Sequence, residues 1–309
     1  MTIAIYFRLF SARARHRTAR IEARKGPCAT SFMGVSSTTV HNFDPGYGRK
    51  PFFDLVRDYP EADVYPPDEF RIEWGPLFHR GRLDGTARVL VLGQDPAQHE
   101  AIVRRVLVGE AGQRIQGFLA KLGITRRYVM LNTFLYSLFG SAGSSRWDDD
   151  DVAEYRHRWL DALLLDTDVE AVVTIGSLAG DAFELWRSDR NSDLPFERCI
   201  HPTFPEAFSR GDPAKYAAAM QQMLSDWNAA LETLSGAIEN PDEDVALVPY
   251  GTTLKSSDLA PIPEIDMPAG LPPWMRSLTK WADREGASTE TKRATIVVVI
   301  PEAERAWHD

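Results

Sequence analysis

The sequence predicts an α/β domain with a mostly parallel sheet covered by helices on both faces. Two observations carry this. Short, largely apolar runs recur at residues 88–92, 127–132 and 169–175, with a last short strand at 197–200; such runs are how strands buried on both faces read. Helix-length stretches separate the runs, supplying the crossovers that parallel strands require.

Taken in order, the chain opens on a distinct leader. Seven basic residues lie between Arg8 and Lys25, and Glu22 is the only acid before residue 40. An Arg-rich, acid-poor start fits a transit-type peptide, a basic nucleic-acid arm, or an extended start of translation ahead of Met33. Residues 1–32 are expected to be disordered on any of these readings. Residues 51–80 are rich in aromatics and prolines, which suggests an irregular segment with one short helix packed on the core. The strand at 88–92 then leads to helical stretches near 99–108 and 113–122, the second closed by Gly123 as a C-cap glycine.

A strand at 127–132 follows. The Asp148–Asp151 run supplies the acidic first turn of a helix at 150–165, where negative charge favours the helix dipole. A strand at 169–175 ends in Gly176-Ser177 and opens a helix to about Trp186. The last strand, 197–200, runs into His201, and a helix covers roughly 212–235. Residues 33–239 thus form one domain. Residues 240–309 are a Pro-rich extension wrapping it, with Trp274 and Trp281 as anchors and the β-prone run 295–300 as a possible added edge strand.

Composition narrows the function. Two cysteines, Cys28 and Cys199, exclude a disulfide framework, a four-cysteine zinc site and a cysteine-ligated iron–sulfur cluster, and they fit a reducing cytoplasm. No run approaches the roughly 18 apolar residues of a membrane span. A net charge of −9 argues against a general nucleic-acid coat protein. It leaves room for an enzyme with a local basic groove, since screening confines the relevant field to about 10 Å.

The chemically capable residues all fall at strand ends: Asp95, Asn132, Gly176-Ser177 and His201. In open α/β folds the carboxyl edge of the sheet is where ligands bind. Pro96 fixes the turn and biases Asp95 to an extended backbone, so the acid is aimed. An acid can orient water or stabilise a cation, a histidine can stabilise an anion, and an asparagine can read an amide edge. Each has a plainer alternative: Asp95, Asn132 and Ser177 as helix caps, His201 as a turn residue.

Three motifs, Gly93-Gln94-Asp95-Pro96, Leu131-Asn132-Thr133 and His201-Pro202-Thr203, occur in that order. As a set over roughly residues 85–235 they resemble the uracil-DNA glycosylase superfamily. The resemblance implies a three-layer α/β/α sandwich on a four-stranded sheet, and an enzyme that flips uracil from DNA and hydrolyses its N-glycosidic bond, leaving an abasic site without metal or cofactor. It implies that Asp95 orients the water and stabilises the cationic sugar, while His201, as neutral imidazole, donates to uracil O2. Asn132 would read O4 and N3–H, and Gln94 would line the pocket through its backbone. Ser177 and Thr203 would hold phosphates.

The departures bear on substrate. Where the best-known uracil-specific branch has a tyrosine blocking the thymine methyl, this chain has Ala97, leaving the Gln98–His99 segment as a possible guard. Leu107 stands nearest the position of a stacking phenylalanine. Phe204 is a candidate intercalating wedge, or else packs inward. Arg104 and Arg105, with Arg114, Arg126, Arg127, Arg146 and Arg210, are candidates for a phosphate-facing patch. The expected protein is a cytoplasmic monomer acting on single- or double-stranded uracil-containing DNA. The rival readings are a glycosylase for mismatched thymine or hypoxanthine, a non-catalytic lesion- or abasic-site-binding protein, and an unrelated α/β hydrolase; the last lacks a Gly-x-Ser-x-Gly elbow.

Overall fold

The computed structural model describes residues 45–288, 291–292 and 295–305. The leader expected at 1–32 lies outside them. In chain order the regular elements are α1 (Phe52–Arg57), β1 (Arg80–Gly81), β2 (Val89–Gly93), α2 (Gln98–Val103), α3 (Gly109–Lys121), β3 (Tyr128–Asn132), α4 (Asp150–Leu164), β4 (Ala171–Ile175), α5 (Ser177–Arg190), β5 (Phe196–Cys199), α6 (Phe204–Ser209), α7 (Pro213–Ala237), α8 (Trp274–Ser277), β6 (Ala282–Asp283) and β7 (Val297–Val298).

Strand order in the main sheet is β1-β3-β2-β4-β5. The last four are mutually parallel, and β1 joins β3 antiparallel through Arg80↔Met130 and Gly81↔Val129. The sheet therefore has five strands where the sequence predicts four. A two-residue strand at the end of an aromatic- and Pro-rich segment carries no periodic signal, so β1 is invisible to pattern reading.

Alternation along the strands builds the layers. Val89, Val91, Met130, Ala171, Val173 and Ile175 face one way, into a core with Phe118 of α3 and Met223 and Trp227 of α7. Leu90, Leu92, Val129, Leu131 and Val172 face the other, against Leu55 of α1, Trp159 and Leu160 of α4 and Phe183 of α5. Both faces of β2 and β4 are buried throughout, which explains their unbroken apolar runs. The result is an α/β/α sandwich.

The described residues of the extension pack first against the start of β3 and α7, through Asp242 and Tyr250, and then along α2 and α3. Trp281 is fully buried, and Trp274 and Met275 join it around Val103, Val108 and Ile262. Among the described residues, the run 295–300 does not extend the main sheet: Val297 and Val298 pair with Asp283 and Ala282 in a separate two-stranded sheet. A buried polar cluster ties this extension to the sheet edge. Arg80 of β1 bonds to Val106 O (2.8 Å) and pairs with Asp266 (3.3 Å), which also accepts from the Tyr128 hydroxyl. The approach to α3 is close enough to require glycine, because a Cβ at Gly117 would stand 2.0 Å from the Asp258 carbonyl oxygen. No helix among the described residues is long and apolar enough to cross a membrane.

Gly117→Ala should therefore destabilise the protein by about 1–3 kcal/mol through overpacking, read as a lowered melting temperature. Gly236→Ala, on α7 with open space around it, should not lower it.

Candidate active site

The four chemical strand ends lie side by side. Parallel pairing puts Gly93 opposite Asn132 on β3, and Leu92 opposite Thr174 on β4; Ile175 in turn faces Cys199 on β5. Asn132, Asp95, Ser177 and His201 thus emerge along one carboxyl edge. Asp95 and His201 leave strands two places apart, about 10 Å at ordinary strand spacing, a gap the size of a nucleoside.

Backbone bonds continue the ladder past the end of β2 and hold the Asp95 turn. Thr133 N–H donates to Gly93 O (2.8 Å) and Phe134 N–H to Gln94 O (2.9 Å). The chain then curls so that Leu138 N–H reaches Asp95 Oδ2 (2.9 Å), while Gln94 Nε2 donates to Oδ1 (3.2 Å). Gly93 is needed here: a Cβ would stand 2.4 Å from Asn132 Oδ1, displacing the asparagine amide laid across the end of the neighbouring strand. Asp95 lies on a cavity of about 290 Å³ lined also by Ala97, Leu138, Arg71 and Arg284. Burial raises its pKa to about 6, against the opposing pull of its two hydrogen bonds and of the Arg284 and Arg71 charges.

His201 has one tautomer. The Thr203 backbone N–H, an obligate donor, points at His201 Nδ1 (3.2 Å), and Thr203 Oγ1 lies 3.1 Å from the same nitrogen. Nδ1 is then the acceptor and the ring proton sits on Nε2, free to be given to a ligand. Burial, reinforced by the nearby Arg114 charge, lowers the His201 pKa to about 4, so the ring is neutral at physiological pH.

Arg114, from the middle of α3, holds the His201 loop: it donates to the Pro202 carbonyl and forms an ion pair with Glu206 (2.8 Å). The sequence suggests Arg114 only as one of several phosphate-facing arginines. Glu100 is a further clamp, accepting from Ala97 N–H (3.0 Å) and Val108 N–H (3.3 Å) and so tying the turn after Asp95 to the entry of α3. Burial pushes its pKa to about 7, with the Asp95 charge adding to the shift. Arg71 is packed between the Trp74 and Phe139 rings at about 5 Å and lines the same cavity as Asp95. Neither Glu100 nor Arg71 carries a motif signal; only the fold brings them to the site.

The remaining sequence candidates fall in several places. Ala97 is exposed on the Asp95 cavity. Gln98 and His99 turn away from it: Gln98 Nε2 donates to Ala282 O (3.4 Å), and His99 Nε2 accepts from Trp281 and Ala282 N–H. Ser177 is exposed at the first turn of α5, whose preceding Gly176 backs onto His201. Thr203 serves His201. Phe204 begins α6 half-buried, with its ring 5.3 Å from that of Phe208, which is 54% exposed. Leu107 is buried in the α3-side core with a positive φ of 53°. Arg104 donates to the Trp74 and Pro76 carbonyls and Arg105 to the Arg104 carbonyl, both at the α2–α3 connection.

Residues 80–228 match the family model described as the uracil DNA glycosylase superfamily. The matched segment carries a domain of that superfamily, and the α/β/α sheet and the Asp95–Asn132–His201 edge lie inside it. The family is one of DNA glycosylases, hydrolases of N-glycosyl bonds, and implies DNA as the macromolecular substrate. No curated protein matches the chain in a sequence comparison.

Removing the Arg114 charge removes a force opposing imidazolium formation. Arg114→Met should therefore raise the His201 pKa from about 4 toward its ordinary value, as followed by NMR titration of the ring protons. An unchanged titration would show that the arginine does not set the charge state of the histidine.

Proposed function

We propose that this protein is a monofunctional uracil-DNA glycosylase, acting as a cytoplasmic monomer in base-excision repair. The observation that carries the reading is the pairing of an aimed carboxylate with a neutral histidine at one sheet edge, His201 presenting its Nε2–H. With the target nucleotide flipped into the crevice, Asp95 orients a water toward C1′ of the sugar and stabilises the positive charge that gathers there. As the C1′–N1 bond breaks, its electron pair moves onto the base. His201 Nε2–H donates to O2, where that negative charge collects. The attacking oxygen bonds to C1′ and its proton leaves through the carboxylate. Asn132 offers one donor and one acceptor, the complement of the O4 and N3–H edge of uracil.

A wider base range is the second reading, and Ala97 favours it. Its side chain is a methyl, exposed on the cavity beside Asp95, and Gln98 and His99 are engaged by the C-terminal hairpin. Nothing bulky at residue 97 opposes a substituent at C5 of the base.

Oligonucleotides carrying a single uracil, mismatched thymine, hypoxanthine or 5-hydroxymethyluracil test both readings. Alkali-labile sites are expected at uracil with the wild type. Asp95→Ala should lower the rate by about 10²–10⁴ and His201→Ala by about 10²–10³. Ala97→Tyr should suppress 5-hydroxymethyluracil cleavage more than uracil cleavage. Absence of cleavage at uracil, or full activity in both alanine variants, would sink the proposal; tight binding without cleavage would point to a lesion-binding protein.

A further inference from the structure

The cavity beside Asp95 is not closed by the glycosylase domain alone. Arg284, from the C-terminal extension, lines it beside Asp95 and Ala97, although it lies 56 residues beyond the end of the matched family segment at 228. Its position is built. The residues just before it are locked to α2, which starts three residues after Asp95. His99 Nε2 accepts from Trp281 N–H (3.4 Å) and Ala282 N–H (3.2 Å), and the Trp281 indole, fully buried, meets the His99 ring edge-on at 4.8 Å. Antiparallel pairing of β6 with β7, Ala282 opposite Val298 and Asp283 opposite Val297, further fixes the residues before Arg284.

The charge pattern indicates the ligand. Asp95 takes its two hydrogen bonds from Leu138 and Gln94, and Asp283 pairs with Lys280 (2.9 Å). Among the described residues Arg284 forms no ion pair with either carboxylate, although its charge favours the ionised form of both, and it lines the cavity together with Arg71 and Lys292. In a chain of net charge −9, an arginine beside the catalytic carboxylate meets the need of a polyanion that must approach that acid. A guanidinium matches the paired oxygens of a phosphodiester.

We propose that Arg284 binds a backbone phosphate of the DNA strand at the Asp95 crevice, making the C-terminal hairpin a wall of the DNA-binding surface. This rests on the DNA-glycosylase reading above. The extension is then part of the binding site and not merely a wrap around it.

Equilibrium binding of the full chain to a short single-stranded oligonucleotide bearing a tetrahydrofuran abasic analogue tests this independently of base preference. The measurement is repeated over a salt series with wild type, Arg284→Ala and Arg284→Lys. Arg284→Ala should weaken binding about tenfold, as loss of one charge-assisted contact does, and reduce the log–log salt slope by about 0.7. Arg284→Lys should recover most of the slope, and thermal melting should show all three folded. An unchanged slope in a folded Arg284→Ala overturns the inference, whether its affinity is kept or lost. So does a loss of cleavage rate with binding and slope intact, which would place Arg284 on Asp95 and not on phosphate. Failure of the wild type to bind DNA at all would instead remove the glycosylase reading and this inference together.

Discussion

The site depends on how the end of β2 is held. Four residues of backbone, Gly93 to Pro96, leave the buried centre of the sheet and are pinned by amides of the next crossing segment, Thr133, Phe134 and Leu138. These bonds place the Asp95 carboxylate where water is scarce but a ligand can reach it. Low polarity raises the cost of its charge and strengthens its action on any positive charge brought beside it. Beside them the Asn132 amide lies over Gly93, where a Cβ would collide with it.

His201 is held by a different logic. Its loop is not part of the ladder, so orientation comes from Thr203 behind the ring and Arg114 beneath the Pro202 carbonyl. One arginine thus fixes the loop and, by its charge, adds to the burial that keeps the imidazole neutral. The site combines a carboxylate that is costly to ionise with a histidine that is costly to protonate, and both costs come mainly from burial.

Much of this was legible in the sequence, and the rest was hidden for identifiable reasons. Strands β2 to β5 fall within two residues of the predicted segments; for β2 and β4 this is because burial on both faces leaves almost no polar interruptions, whereas β5 is marked by its position before His201. Asp95, Asn132 and His201 were legible because strand ends are punctuated by Gly, Pro and polar residues. Edge strand β1 is too short to leave a pattern. Arg71 and Glu100 do their work through packing partners distant in sequence or through backbone amides, which no spacing reveals. Gln98 and His99, read as possible guards of the base, are turned away because the C-terminal hairpin supplies N–H donors and a carbonyl they satisfy. That hairpin was itself unreadable: its β-prone run suggested pairing with the main sheet, whereas burial of Trp281 against α2 directs it elsewhere.

The central claim is that ionised Asp95 and neutral His201 act together on the bound nucleotide. It is tested most directly by the pH dependence of single-turnover base release from uracil-containing DNA. The rate should rise tenfold per pH unit between about pH 4 and 6, bend at about pH 6 as Asp95 loses its proton, and stay level to about pH 8, since His201 is already neutral above about 4. A rate that falls as pH rises through about 6.5 would contradict the account by requiring a protonated histidine, and a profile flat from about pH 5 would show that the Asp95 carboxylate is not the group on which the reaction depends.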